Sequence, residues 1–226
     1  MAFSLAENWP RTVAEARAVQ DRLRDLVQAE DRFGRLTTVA GVDVHFPTEG
    51  TEARAVAVLF SYPGLELQET ALAETRLSFP YVSGYLSFRE VPAALAALAG
   101  LSRPAGVVLA DGQGRAHPRR FGLACHLGLL LDRPTIGVAK TRLVGSFEPP
   151  GEDKGEWSPL VQGKEEVGAV VRTRTGVRPV FVSPGHKVGL RSAIRLTLAC
   201  TTRFRLPEPL RLAHGLAKKA AQGINR

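Results

Sequence analysis

Hydrophobic and polar positions along the chain change period several times, and each change marks an expected element. Between Trp9 and Asp31, Val13, Ala16, Val19, Leu23 and Leu26 recur three or four residues apart, which predicts a helix with one apolar face; Pro10 suits its first turn. β-Branched and apolar runs follow at 35–46, 53–62 and 65–79, with Pro63 and Gly64 turning the second into the third. Three consecutive strands in an antiparallel meander are therefore expected. Residues 85–101 return to helical spacing and stop near Gly100. The apolar runs at 105–112 and 134–140 read as buried strands joined by a helix over 119–132, the pattern of a right-handed crossover between parallel strands. Residues 151–160 read as a polar loop, 165–186 as a hairpin turning at Thr175 and Gly176, and 187–201 and 207–222 as closing helices. With no internal repeat and no long linker, the expectation is a single α/β domain over 1–226, a mixed central sheet flanked by helices.

No apolar run approaches the ~20 residues of a membrane span. The first twenty residues lack a basic lead followed by an apolar run, so no secretory signal is read and a cytoplasmic location is expected. Cys125 and Cys200, both in apolar helical patterns, fit buried free thiols better than a disulfide or a zinc cluster. Charge changes the picture more. Thirty basic residues against 22 acidic ones give a net charge of +8, which suits either a polyanionic partner or simple solubility. Arg115, Arg119 and Arg120 crowd one segment, and Lys187, Arg191 and Arg195 recur at helical spacing; that clustering favours nucleic acid.

Two carboxylates stand in unusual places. Alternation in the strand around Asp43 puts Val39, Gly41, Asp43 and His45 on one side, and a lone carboxylate in a β-branched run is costly unless a cation or strong donors satisfy it. Asp111 ends a buried strand, where open α/β sheets place their sites. Either alone could be a structural acceptor. Together, on strands able to neighbour each other, they suggest a divalent metal site, with magnesium the natural hard ion and Glu90 a third ligand; the alternative for Glu90 is a solvated helix glutamate. Tyr81, on a loop stiffened by Pro80, reads either as an exposed aromatic with a job or as a core residue beside Phe79.

The motifs GVDVHF (41–46), PYVSGYLSFRE (80–90), LADGQGRAHPRRFGLACHLG (109–128), PTIGVAK (134–140) and SPGHKVGLRSA (183–193) resemble, in order, those of the endonuclease V family. The resemblance runs from about Asp43 to His214. It implies a ribonuclease H-like fold and a magnesium-dependent repair endonuclease, with manganese expected to substitute. The implied substrate is DNA containing deoxyinosine, with inosine in RNA as the alternative, and the cut falls 3′ to the lesion, leaving 3′-hydroxyl and 5′-phosphate ends. By the same resemblance Asp43, Glu90 and Asp111 hold metal, and Lys140 and His214 complete the catalytic set. Tyr81 with Pro80 forms a wedge at the damaged base, although Ser83 stands where the family's wedge has a second proline. Gly84, Gly112 and Gly122 let a purine approach the backbone, and Leu86 and Leu123 supply apolar contacts. His117 holds a phosphate or the loop of Asp111, and Arg119 and Arg120 suit contacts to the nucleic-acid backbone. A monomer is expected. The rival readings are an inosine-binding module that does not cut and a glycosylase that leaves an abasic product.

Overall fold

The computed structural model describes residues 9–47 and 51–222; the first eight residues, part of the stretch read as lacking a secretory pattern, lie outside them. The expected meander is present: β1 (Thr38–His45), β2 (Glu52–Ser61) and β3 (Leu67–Arg76) pair antiparallel in chain order. On the other side of β1 the sheet turns parallel, through β4 (Val107–Ala110) and β5 (Thr135–Ala139). It then returns to antiparallel pairing through β8 (Val180–Pro184), β7 (Glu165–Val171) and β6 (Trp157–Gln162), giving the order β3-β2-β1-β4-β5-β8-β7-β6.

Helices cover both faces. α2 (Leu86–Ala99) and α3 (Leu123–Leu131) pack Val91, Ala94, Ala97 and Leu127 against Ala40, Val42 and Val108. α4 (Leu190–Ala199) and α5 (Glu208–Ala221) pack Ala193, Leu196, Leu210 and Ala213 against Val39, Leu109 and Ile136. The alternation read in β1 is thus real: its odd-numbered residues face α5 and its even-numbered ones face α2. At Gly41 the backbone of Pro209, at the start of α5, comes so close that no side chain fits between them. Both cysteines are buried and free.

Four local expectations need correction. α1 is Val13–Leu23, its start set not by Pro10 but by Thr12, which caps Glu15 N at 3.2 Å while Glu15 returns the bond to the Thr12 backbone. The helix tightens to a 3₁₀ turn at Arg24–Leu26, so Leu26 leaves the apolar face and is exposed, as is Val13. The segment read as a polar loop contains the start of the edge strand β6; Pro159 within it is tolerated at an edge where no ladder donor is needed. Lys187 precedes α4, in a left-handed conformation (φ 54°), and pairs with Asp132 at 2.7 Å, so it forms no helical row with Arg191 and Arg195. The helix expected from Arg119 begins only at Leu123, because Arg120 is also left-handed (φ 57°) and Gly122 caps the helix in extended conformation.

Candidate metal centre and base pocket

Parallel pairing of β1 and β4, with Val42 beside Ala110, brings Asp43 and Asp111 to neighbouring strand ends; Asp111 N donates to Val42 O at 3.3 Å. From the α5 side His214 Nδ1 donates to Asp43 Oδ2 at 2.7 Å and lies 3.9 Å from Asp111 Oδ2. Lys140, just past β5, bonds Asp111 Oδ2 through Nζ. Glu90 enters from α2. His45, two residues beyond Asp43 on the same strand face, puts Nδ1 3.4 Å from Asp43 Oδ2 and its ring edge-on to that of His214, centroids 4.8 Å apart.

The electrostatics are those of a cation site. Burial raises the Glu90 carboxyl, and repulsion from Asp43 and Asp111 raises it further, to about 8. Asp111 is also raised, by burial first and then by Asp43, with Lys140 opposing. Burial pushes Asp43 up too, but the two imidazoles more than offset it and leave it below the ordinary carboxylate range. Three acids sharing one desolvated space repel one another unless positive charge enters between them. The donor set fits a divalent cation: donor atoms of Asp43, His45 and His214 lie within 4.8 Å of one another, and His45 Nδ1 is buried without a hydrogen bond.

Beside this cluster opens a cavity of about 440 Å³ that collects residues from three separate stretches, 81–90, 111–123 and 139–143. Glu90, Asp111 and Lys140 form its border with the acidic cluster. Gly84, Leu86, Gly112, His117, Gly122 and Leu123, all anticipated, line its wall. Tyr81 stands at its rim, 73% exposed, while Phe79 is the buried one, packed against Phe88. The core alternative for Tyr81 is thereby excluded. Pro80 is exposed beside it and outside the lining. Gly84 is left-handed (φ 80°), a conformation that suits glycine, and a Cβ on Gly122 would fall 2.4 Å from Gln113 O.

Phe79 O accepts from Arg89 Nη1 at 2.9 Å, and Phe79 and Val82 pack in the cluster around Phe88, while the tether of the Tyr81 loop to the Asp111 side is one atom, the carbonyl of Gly84. It accepts from His117 Nε2 at 3.0 Å, Arg119 Nη2 at 3.2 Å and Gln20 Nε2 at 3.0 Å. His117 Nδ1 in turn accepts from Arg119 N at 3.2 Å, which fixes a neutral ring; burial, then Arg119, lowers it to about 4. His117 therefore joins the Asp111 loop to the Tyr81 loop. Arg119 also bonds Gln20 and stacks over the Tyr85 ring at 4.3 Å. Arg120 and Arg115 converge on Glu165, at 2.7 and 2.5 Å, and Arg120 also reaches Gln162. The arginine-rich segment is thus largely an internal clamp.

Sequence reasoning left several participants out. His45 was seen on the face of Asp43 but given no role; its position two residues on was the available signal. Gln20 occupies an apolar-face position in α1, between Ala16 and Leu23, and that mismatch was the clue to its buried bonds. Gln113, inside the 109–128 motif, and Arg142, outside all the motifs, also line the cavity, and neither carried a signal of its own.

Carboxylates gathered at the carboxyl ends of neighbouring parallel strands, behind an antiparallel meander, define a nuclease of the ribonuclease H-like class. Comparison with known proteins narrows this. The family model for endonuclease V matches residues 21–215, and the chain belongs to that family of phosphodiester-hydrolysing endonucleases. It is 50% identical over 218 residues to endonuclease V of Nostoc punctiforme, covering 96% of this chain and 99% of that one. The crystal structure of endonuclease V from Streptomyces avermitilis superposes with a TM-score of 0.91 at 47% identity over 96% of each chain. Endonuclease V of Ciona intestinalis, crystallised with a 24mer DNA containing an inosine followed by a ribo-adenosine, gives 0.84 at 31% identity, over 94% of this chain and 99% of that one. Among the described residues no helix is long and apolar enough to cross a membrane.

Proposed function

We propose that this chain is a magnesium-dependent endonuclease that captures a hypoxanthine nucleotide in DNA and cuts the same strand on its 3′ side, leaving a 3′-hydroxyl and a 5′-phosphate. One observation carries the reading. The cavity, with an exposed tyrosine at its rim, shares Glu90, Asp111 and Lys140 with the acidic cluster, so a captured base and a phosphate beside the carboxylates fit on one surface.

Asp43, Glu90 and Asp111 would hold the cation. The chemistry a bound divalent ion supplies here is Lewis acidity at the phosphate and a more acidic water. Lys140, already against Asp111, offsets negative charge growing on the phosphate in the transition state. His214, held by Asp43, orients water or accepts its proton. Tyr81 fills the gap left in the stack when the base leaves it, against an unstacking cost of a few kcal/mol, and Pro80 reduces the ordering entropy of doing so. Gly84, Gly112 and Gly122, lacking side chains, let the purine approach the backbone, where its O6 and N1–H edge separates hypoxanthine from adenine, while Leu86 and Leu123 pack on the ring. Arg119 and Arg120 shape the loop and present the outer parts of their guanidinium groups to the nucleic-acid backbone. The chain acts as a one-domain monomer in the cytoplasm.

The test is incubation of end-labelled DNA and RNA containing one inosine, with and without magnesium, with products mapped to the nucleotide. A magnesium-requiring nick 3′ to the inosine in DNA is expected. An abasic product, or binding without a cut, overturns the reading in favour of one of its rivals.

A further inference from the structure

We infer that His45 is a further metal ligand, giving the carboxylate cluster a nitrogen limb that makes the site favour first-row transition-metal ions, manganese and more strongly cobalt, over magnesium. The inference rests on the reading of Asp43 as a cation ligand and goes beyond it by adding a donor and a selectivity.

Three observations carry it. His45 Nδ1 is shielded from solvent and has no hydrogen-bond partner; at 3.4 Å from Asp43 Oδ2 it faces that oxygen without hydrogen-bond geometry. A buried polar atom left so costs about 1–3 kcal/mol, and an ion is one of the few partners that would satisfy it. Second, His45 and His214 reach Asp43 from different elements, β1 and α5, so both imidazoles converge on one carboxylate. Third, the spacing is close to that of a shared ion. Two donors on one metal, each at about 2.0–2.2 Å, are at most about 4.4 Å apart. The donor atoms of Asp43, His45 and His214 all lie within 4.8 Å, so movements of a few tenths of an ångström would bring them onto a common centre.

Chemistry sets the selectivity. Magnesium takes oxygen ligands and sheds water reluctantly, whereas affinity for a site that includes a ring nitrogen rises along the first-row series from manganese, itself well served by oxygen, through cobalt to its later neighbours. A cluster of carboxylates alone discriminates little in favour of the latter; a ring nitrogen added to it does. His45 holds its place because it lies in a regular strand, paired in register with Arg54 of β2.

The test uses the metal-free full chain without nucleic acid. Manganese is added, its dissociation constant measured alone and in competition with magnesium, and electron spin-echo modulation recorded for nitrogen at the bound ion. Wild type should show imidazole nitrogen modulation that persists in His214→Ala. In His45→Ala and His45→Asn, the modulation should weaken and the preference for manganese over magnesium should fall about tenfold, the order seen when groups around a metal are removed. Thermal melting of the metal-free variants checks that they fold. Nitrogen modulation and ion preference unchanged in both His45 variants overturn the inference, as does manganese bound in wild type without nitrogen modulation. Failure of manganese to bind wild type at all removes the reading of Asp43 as a ligand, and the inference with it.

Discussion

Adding one methyl group at Gly41 tests whether the acidic cluster depends on how closely α5 approaches β1. A Cβ there would fall 2.3 Å from the carbonyl carbon of Pro209, 2.4 Å from its oxygen and 2.8 Å from Leu210 N. All three are backbone atoms, so no rotamer change relieves the clash. Ordinary contact begins at 3.4 Å, and the start of α5 must retreat by about 1 Å. α5 carries His214 and β1 carries Asp43, so the retreat lengthens their 2.7 Å bond towards breaking. Overpacking of this kind costs about 1–3 kcal/mol. In a chain of this size each kcal/mol lowers the melting temperature by about 2–4 °C. A misplacement of about 1 Å in a catalytic group is worth about 10²-fold in rate. Gly41→Ala should therefore melt several degrees lower and cut inosine-containing DNA about a hundredfold more slowly in single turnover, while still binding that strand. The control is Gly215→Ala, one residue past His214 in the same helix, where an added Cβ meets nothing within 4 Å. It should stabilise by about 0.5–1 kcal/mol through helix propensity alone. A Gly41→Ala protein with wild-type melting and wild-type cleavage refutes the argument that this contact sets the site.

Other perturbations separate the parts. Asp43→Asn and Asp111→Asn should leave inosine-strand binding largely intact in a mobility-shift assay while abolishing the magnesium-dependent nick. Tyr81→Ala, at an exposed position, should change stability by less than about 0.5 kcal/mol yet reduce discrimination between inosine and normal strands more than it reduces general DNA affinity; equal losses in both refute the wedge. Burial holds His126, stacked on Trp9, at about 3, so the folded chain resists protonation there while the unfolded chain accepts it near 6.5. Its contribution to stability is complete above 6.5 and falls by up to about 1.4 kcal/mol per pH unit as pH drops from 6.5 towards 3. Glu90, raised to about 8 without metal, acts with the opposite sign between about 4.5 and 8, so denaturant titrations should compare wild type with His126→Leu, whose difference isolates the histidine.

The periodic parts of this chain were readable because one interaction decides them. The meander, the two buried parallel strands and the facing of β1 follow from apolar alternation and turns. Errors fell where two interactions compete. Pro159 forbids an interior strand but not an edge one, and which applies depends on the sheet order, a long-range fact. Lys187 has helical spacing to Arg191 and Arg195, yet its salt bridge to Asp132 lies 55 residues away in sequence. The site was legible as a set of motifs rather than as physics: nothing local in the 109–128 segment says that His117 and Arg119 would reach back to the carbonyl of Gly84. Gln20 lay further out of reach, since its partners Gly84 and Phe121 are 64 and 101 residues away.

The two halves of the cavity are built by different means, and that difference suits what each must do. The wall carrying Asp111 is seated by close backbone contacts. A Cβ on Gly114 would fall 2.1 Å from Pro184 O, one on Gly137 2.4 Å from Gly114 N, and one on Gly122 2.4 Å from Gln113 O. Packing this tight restricts movement of the wall, which the proposed capture of a purine against its backbone would require. The opposite side, the Tyr81 loop, is anchored at its start by Phe79 and is tied across the cavity by hydrogen bonds from Gln20, His117 and Arg119 to the carbonyl of Gly84. Such bonds contribute about 0.5–1.5 kcal/mol each when neutral and about 1.5–3 kcal/mol from a charged arginine, less than rigid backbone packing, so on the proposed reading the loop would tilt its tyrosine towards a duplex while the wall stays still. If the proposed function holds, loosening the wall should reduce discrimination of inosine and stiffening the loop should slow its capture, both read in single-turnover cleavage. Backbone packing on one side and side-chain tethering on the other keep those two demands from interfering.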